Sequence, residues 1–313
     1  MKQVILSVAL LLITGVSISQ EREKRIKFKE GLVAICTSSE MSIKGYDGDE
    51  VIIRNLNPSS NYSYIYTTKD GQQSRLSSDS LVFKSYSIYS TSDTKKDLEK
   101  GLKPLGETST NPADNLFLDI LKKPGELLIK DLQMTTQGQN GNTSGLTSFV
   151  SQNNKFEILI PNTVRLVWNA EGCAKKNSNT FFIRTDSNPL QLSDFKGEAE
   201  VSTTYKSIKL SNVTGPVIAN SIGGNITVVF DTSLPSKLYS LVSNSGYVDV
   251  TIPSRSSVMI NATGERILSN IDFKILIEEV SNSSKHMELQ LNSGKAKMKI
   301  DAGSGSIYLR DSK

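Results

Sequence analysis

Residues suited to nucleophilic catalysis are scarce in this chain of 313 residues, which contains one histidine, His286. A Ser-His-Asp constellation needs a histidine base beside the serine. His286 lies in the polar run SSKHM (283–287), which is typical of a turn leading into a strand, so we expect a solvated loop histidine. A thiol nucleophile would depend on the same single base. The sequence therefore predicts no catalytic residue of this kind.

Patterns for metal and phosphate binding are also missing from the sequence. One histidine and two distant cysteines cannot assemble a zinc site. Asp47, Asp49 and Glu50 group three carboxylates, but they lack the twelve-residue EF-hand pattern, and Asp-Gly pairs are typical of tight turns between strands. No P-loop pattern is present. We expect no cofactor and no metal.

Glycoside hydrolysis needs only two facing carboxylates, so the scarcity of histidine does not exclude it. The acidic residues of the repeat region fall at different positions of the strand pattern: Glu198, Glu200, Asp231, Asp249 and Glu265. We expect them on solvated outer faces, and we interpret the protein as not an enzyme.

The composition excludes several classes of protein. Ser, Thr and Asn contribute 88 residues, whereas charged residues make up only 22%, which argues against a coiled coil. The hydrophobic content of 37% argues against a disordered chain. A net charge of +4 is too small to predict a nucleic-acid partner.

The N-terminus has the pattern of an export signal. Lys2 precedes a short apolar run from Val4 to Ile13, and small residues follow at Ser17 and Ser19. This pattern predicts a signal peptide at residues 1–19 and a mature β-strand-repeat domain at residues 20–313. No later segment is apolar enough to span a bilayer. We expect an exported protein without a transmembrane segment in the mature chain, located in the periplasm or at the cell surface.

An exported chain can oxidise its cysteines, and this one has two, Cys36 and Cys173. The sequence cannot show whether they come within bridging distance. Because Cys36 follows the apolar run LVAI, a buried free thiol is the favoured interpretation.

Residues after Asp194 predict short strands with side chains that alternate between two faces. Glycines open several of these strands, and Gly224, Gly246 and Gly264 recur at intervals of 22 and 18 residues. A period near 20 residues predicts a right-handed parallel β-solenoid (β-helix), with Ile226, Val228, Val248 and Val250 in one interior ladder. An antiparallel β-sandwich is the alternative. Residues 58–154 are polar, and we expect loop elaborations of the same sheet system there.

Three segments of this region, KLSNVTGPV (209–217), GNITVVF (224–230) and SGYVDVTIP (245–253), together with IKGYDGDEV (43–51), carry a resemblance. In this order they resemble the adhesin-like β-strand-repeat family of unknown function found in bacterial envelope proteins. The resemblance covers residues 195–275 and the opening motif, and it implies an exported β-solenoid.

These observations favour a non-enzymatic envelope protein that binds a glycan or another protein through a repetitive β surface. A periplasmic structural or signalling scaffold is the first alternative, and a polysaccharide-active enzyme is the second. Lys295, Lys297 and Lys299 alternate with apolar residues near the C-terminus, and we expect this lysine row on the terminal coil, where charges discourage edge-to-edge association.

Overall fold

Alternating polar and apolar residues produce an all-β structure. The computed structural model describes residues 23–37, 39–56, 63–67, 73–77, 116, 118–131, 133–137, 143–148, 155–170, 188–281 and 283–312. Within these ranges it contains strands and turns but no helix. The predicted signal peptide, residues 1–19, lies outside the described residues.

Most strands belong to two large mixed sheets, and we number the strands in chain order. The first sheet contains, in spatial order, β1 (Glu23–Lys27), β4 (Glu50–Asn55), β11 (Lys155–Pro161), β3 (Glu40–Tyr46), β13 (Leu190–Ser193), β15 (Ile208–Ser211), β17 (Ile226–Val229), β19 (Val248–Ile252), β25 (Ser306–Asp311) and β21 (Arg266–Ser269). The second contains β22 (Lys274–Val280), β23 (Lys285–Leu291), β20 (Val258–Gly264), β24 (Ala296–Asp301), β18 (Tyr239–Ser243), β16 (Val217–Ser221), β14 (Ala199–Thr203), β12 (Val164–Asn169), β2 (Gly31–Cys36), β8 (Glu126–Asp131) and β7 (Leu118–Lys123).

The predicted polar region, residues 58–154, contributes strands where it is described. Its β7 and β8 form an antiparallel pair at one edge of the second sheet. Two separate pairs also form, β5 (Ser63–Thr67) with β6 (Gln73–Ser77) and β9 (Gln133–Gln137) with β10 (Thr143–Ser148).

From β12 to β19 the chain visits the two sheets in turn. From β12 to β17 each strand pairs in parallel with the strand two places later, for example β15 with β17 and β17 with β19. Val228 lies opposite Val250, and Thr227 lies opposite Asp249. Both valines are buried and both polar residues are half-buried, so the predicted interior ladder is confirmed.

The inward side chains of both sheets form one hydrophobic core. Two facing sheets are also what the sandwich alternative predicts, but the pairing of the central strands is parallel. Antiparallel pairs occur toward the ends of the sheets, as in β1 with β4 and β22 with β23. Because every described element is a strand, the all-β class predicted from the alternation is confirmed.

The last two strands lie inside the sheets. β24 pairs with β18 on one side and β20 on the other, and β25 lies between β19 and β21. In the stack, β20 and β21 therefore lie one position beyond β24 and β25, although they come earlier in the chain. The expectation that the lysine row lies on the terminal coil is wrong, because Lys297 and Lys299 lie on a strand with neighbours on both sides.

This crossover also changes the glycine repeat. A Cβ on Gly246 would lie 2.4 Å from the carbonyl oxygen of Gly224, and a Cβ on Gly264 would lie 3.0 Å from the carbonyl oxygen of Gly305. The stacking order is therefore Gly224, Gly246, Gly305 and Gly264. The interval of 18 residues from Gly246 to Gly264 does not join neighbouring layers.

Cys36 is bonded in a disulfide, which corrects the favoured prediction of a buried free thiol. Strand alternation explains why Cys36 is not buried, because it directs Val33 and Ile35 into the core and leaves Cys36 half-buried on the opposite face of β2. The other cysteine in the sequence, Cys173, lies outside the described residues.

Candidate functional site

The outer face of the first sheet presents side chains in a regular row. Successive cross-strand neighbours are Gln191, Lys209, Thr227, Asp249, Tyr308 and Leu268. Neighbouring strands lie about 4.8 Å apart, so five steps span roughly 24 Å. We call this row, together with the adjacent Tyr247 and Arg310, the candidate face. Its length suits an extended ligand.

Aromatic and charged side chains meet at one end of the candidate face. The rings of Tyr247 and Tyr308 are in edge-to-face contact, with centroids 5.8 Å apart and an interplanar angle of 76°. The guanidinium carbon of Arg310 lies 5.3 Å from the centroid of the Tyr308 ring. Tyr247 is 40% exposed, so part of this aromatic surface is available to a ligand.

Asp249 holds Arg310 in place from the neighbouring strand. Arg310 Nε donates to the carboxylate of Asp249, at 2.9 Å from Oδ1 and 3.0 Å from Oδ2. This hydrogen bond and the nearby negative charge raise the pKa of Arg310, which is an exposed residue. The guanidinium is therefore both charged and oriented along the face, where it can donate to hydroxyl or carboxylate oxygens of a ligand.

The second sheet presents a different outer surface. Lys297 and Lys299 are exposed there, on either side of the buried Met298. Lys299 lies opposite Ser240 on one strand and Asn261 on the other. This surface is basic, but the structure places no exposed aromatic side chain among these register partners.

The acidic group after β3 is used for contacts within the protein. The carboxylate of Asp47 accepts hydrogen bonds from Asn162 Nδ2 at 2.7 Å and from Lys196 Nζ at 2.9 Å. Both bonds lower the pKa of Asp47, and the bond from Asn162 has the largest effect. Glu50 Oε2 lies 3.7 Å from an Arg25 nitrogen. Within the described part of the chain, no group of three or more His, Cys, Asp or Glu residues is placed to hold a metal ion.

The acidic residues considered for glycoside hydrolysis lie in separate parts of the structure. Glu198 and Glu200 share one cation, with Arg165 nitrogens 3.1 and 3.8 Å from their respective carboxylates. Asp249 binds Arg310 on the other sheet. Asp231 and Glu265 are exposed residues outside the strands. The structure thus does not gather these five carboxylates at one site.

His286 lies within β23 and not in a loop, which corrects the sequence-based expectation. It is half-buried, and its Nδ1 is 3.1 Å from the hydroxyl of Thr263 on β20. The strand begins one residue earlier, at Lys285, because residues 285–290 pair with both β20 and β22.

The sequence did not single out Tyr247, Tyr308 and Arg310. The alternation within GSIYLR (305–310) places Tyr308 and Arg310 on one face, and this signal was available in the sequence. Their proximity to Tyr247 and Asp249 follows from the pairing of β19 with β25, which no local pattern predicts.

Comparison with protein-family models and with curated proteins gives no match for this chain. Among solved structures, the chain is similar to a putative cell adhesion protein from Clostridium sporogenes, with 11% sequence identity and a TM-score of 0.37. The alignment covers 93% of this chain and 99% of that one. A likeness this distant carries no argument about function, and the resemblance to the β-strand-repeat family stays a prediction.

No helix capable of crossing a membrane occurs in the portion of the chain that the structure describes.

Proposed function

We propose that this protein is an exported, non-enzymatic, adhesin-like envelope protein that binds glycans through the candidate face. The observation that carries the proposal is the arrangement of Tyr247, Tyr308 and Arg310 at one end of a long row of polar side chains. Aromatic rings pack against the apolar faces of sugars, whereas oriented guanidinium and amide groups bond to their hydroxyl oxygens.

We further infer that the central strands form a right-handed β-solenoid. Three features support this. Successive strands alternate between the sheets, and the strands from β12 to β17 each pair in parallel with the strand two places later. Residues that lie opposite each other are 18 apart in the sequence from Ile208 to Ile226 and 22 apart from Ile226 to Val248. Right-handed crossover connections are strongly preferred between parallel strands. Such a rigid array holds the side chains of the candidate face at fixed spacing, which lowers the ordering cost of binding a polymer.

The disulfide of Cys36 supports export, because disulfides form and persist in oxidising compartments. It agrees with the signal pattern at residues 1–19.

Binding to an array of bacterial and host glycans tests the proposed ligand class. We expect the protein to bind a subset of the glycans, and Tyr308→Ala and Arg310→Ala each to weaken that binding at least about fivefold, since one stacking or charged contact contributes about 1 kcal/mol or more. Tyr205→Ala is the matched control, because Tyr205 is 54% exposed and follows β14, a strand of the second sheet.

Two results would contradict the proposal. The first is a protein that binds no glycan on the array. The second is glycan binding that the Tyr205 variant reduces as strongly as the Tyr308 variant. Glycan turnover during the assay would instead support the polysaccharide-active enzyme, and capture of an envelope protein without glycan binding would support the periplasmic scaffold.

A further inference from the structure

The second sheet ends in an exposed apolar strand, β22. β22 pairs with β23 along one side, and no strand from the described residues pairs with its other side. All seven of its residues are exposed. Four of them are large apolar residues: Ile275 at 53%, Leu276 at 39%, Ile277 at 41% and Val280 at 75%. Both faces of this edge are therefore open, as well as its backbone.

Both edges of the first sheet differ from β22 in ways that discourage pairing. β1, at one end of the first sheet, carries Lys24, Arg25 and Lys27 within five residues. β21, at its other end, has four residues and begins with Arg266. Charged residues and short length are common means by which proteins protect sheet edges. The centre of β22, by contrast, is the uncharged sequence Ile-Leu-Ile.

The charges of β22 lie at opposite ends of the strand, with Lys274 at its start and Glu278 and Glu279 near its end. Lys274 lies opposite Gln290 of β23, and Glu279 lies opposite His286. Because Gln290 and His286 are four residues apart on one strand, they share a face. Lys274 and Glu279 therefore also share a face, although they are five residues apart, because β22 has an irregularity between Ile275 and Ile277.

Antiparallel pairing of β22 with itself brings unlike charges together. In the register centred between Leu276 and Ile277, Lys274 of each strand lies opposite Glu279 of the other. Head-to-tail extension of the second sheet would instead pair β22 with β7 of a following copy, antiparallel by the chain directions. In the register that puts Lys274 opposite Lys123, the irregularity of β22 puts Glu279 opposite Asp119, so like charges meet on one face.

We propose that β22 pairs antiparallel with β22 of a second copy, which forms a twofold-symmetric dimer through the second sheet. The interface is isologous, because the same strand contributes from both copies. The inference does not depend on the glycan-binding proposal. If both hold, the dimer carries two candidate faces, and a polymeric ligand that spans both binds with higher avidity.

Sedimentation velocity over a concentration series tests the dimer. We expect the mature wild-type protein to be dimeric at about 10–100 μM, a range in which weak edge contacts of proteins are populated. Lys274→Glu and Glu279→Lys each place like charges opposite one another in both symmetric pairs. Each variant should weaken association roughly tenfold or more. Lys297→Glu, an exposed charge reversal on β24, is the matched control and should leave association unchanged.

Mixing the two charge variants gives the sharpest result. A Lys274→Glu chain and a Glu279→Lys chain restore two unlike pairs across an antiparallel interface, so the mixture should form a heterodimer although each variant alone is monomeric. Thermal unfolding of every variant checks that the fold is retained, which the exposure of both residues favours.

Four results would overturn the proposal. A monomeric wild-type protein throughout the series excludes the dimer. A dimer that neither charge variant weakens lies at another surface. A mixture that stays monomeric, or oligomers that grow with concentration beyond the dimer, contradicts the antiparallel twofold arrangement.

Discussion

Gly305 stacks directly on Gly246, so closely that a Cβ on Gly305 would lie 2.0 Å from the carbonyl oxygen of Gly246. The two glycines belong to neighbouring layers, although β19 to β24 lie between them in the chain. This contact marks the position where the C-terminal strands enter the stack. Side chains are excluded there because the backbones of the two layers approach each other too closely.

Gly305→Ala should therefore destabilise the protein by roughly 1–3 kcal/mol, because the added methyl group forces two layers apart. Chemical denaturation measures the change in the free energy of unfolding. Gly223→Ala is the control, since the nearest atom to its added Cβ is 3.3 Å away. Equal destabilisation by both variants would show that the close approach is not the cause.

Val250→Asp should lower the free energy of unfolding by about 3 kcal/mol or more, because Val250 is fully buried and the new carboxylate would lack a partner. Asp249→Asn, one residue away on the outer face, should cost less than about 1 kcal/mol, since it weakens only the exposed ion pair with Arg310. Comparable thermal melting of the two variants would contradict the register of β19.

Ser243→Ala should cost about 1–3 kcal/mol, because it removes a buried hydroxyl that joins two layers. Ser243 Oγ donates to the carbonyl of Gly224 at 2.9 Å and accepts from the Gly246 N–H at 3.0 Å. Ser240→Ala, in the same strand but half-buried, should have a smaller effect. Hydrogen exchange at the Gly246 amide should become faster in the Ser243 variant and stay unchanged in the Ser240 variant.

The Glu23–Arg54 contact should make stability dependent on acidic pH. Hydrogen bonding from Arg54, 2.6 Å away, lowers the pKa of Glu23 below its usual 4.5. The contribution is therefore present above the unfolded-state pKa and is lost as the pH falls through the folded-state value. Glu23→Gln should lower stability at pH 7 by less than about 1 kcal/mol, because the pair is partly solvent-exposed. The difference from wild type should shrink below about pH 4. A difference that is constant with pH would contradict this assignment, and Glu265→Gln controls for the loss of one acidic charge.

Export predicts a defined covalent state of the mature protein. Protein purified from the native envelope fraction should begin at Gln20, and its intact mass should increase on reduction as the disulfide of Cys36 opens. A chain that retains residues 1–19, or one already reduced when isolated without reductant, would contradict export.

Local alternation was sufficient to predict the strands after Asp194 that carry the interior ladder. Val228 and Val250 point inward because strand residues alternate between faces, and this property requires no knowledge of the partner strand. Strands such as β20 and β22 were not predicted. In β20 the alternation was available, since Val258, Ile260 and Ala262 are buried between half-buried residues. In β22 all residues are exposed, so the alternation that reveals a half-buried strand is absent.

The candidate face was only partly predictable. Tyr308 and Arg310 share a face by alternation alone, whereas their contacts with Tyr247 and Asp249 depend on the pairing of β25 with β19. A regular repeat predicts that the next strand in the chain is the next layer. Here that assignment gave Gly264 as the neighbour of Gly246.

The sequence by itself determined the all-β class, the inward and outward directions of the central ladder, and the absence of a recognisable catalytic motif, because these depend on residue type and local periodicity. Only the tertiary structure decided which strands are neighbours. The insertion of β24 and β25 between earlier strands, the meeting of Tyr308 with Tyr247, and the exposure of β22 all follow from non-local pairing. The free energy of that pairing comes from burying one shared core, to which distant segments contribute together, so no local window of the sequence contains it.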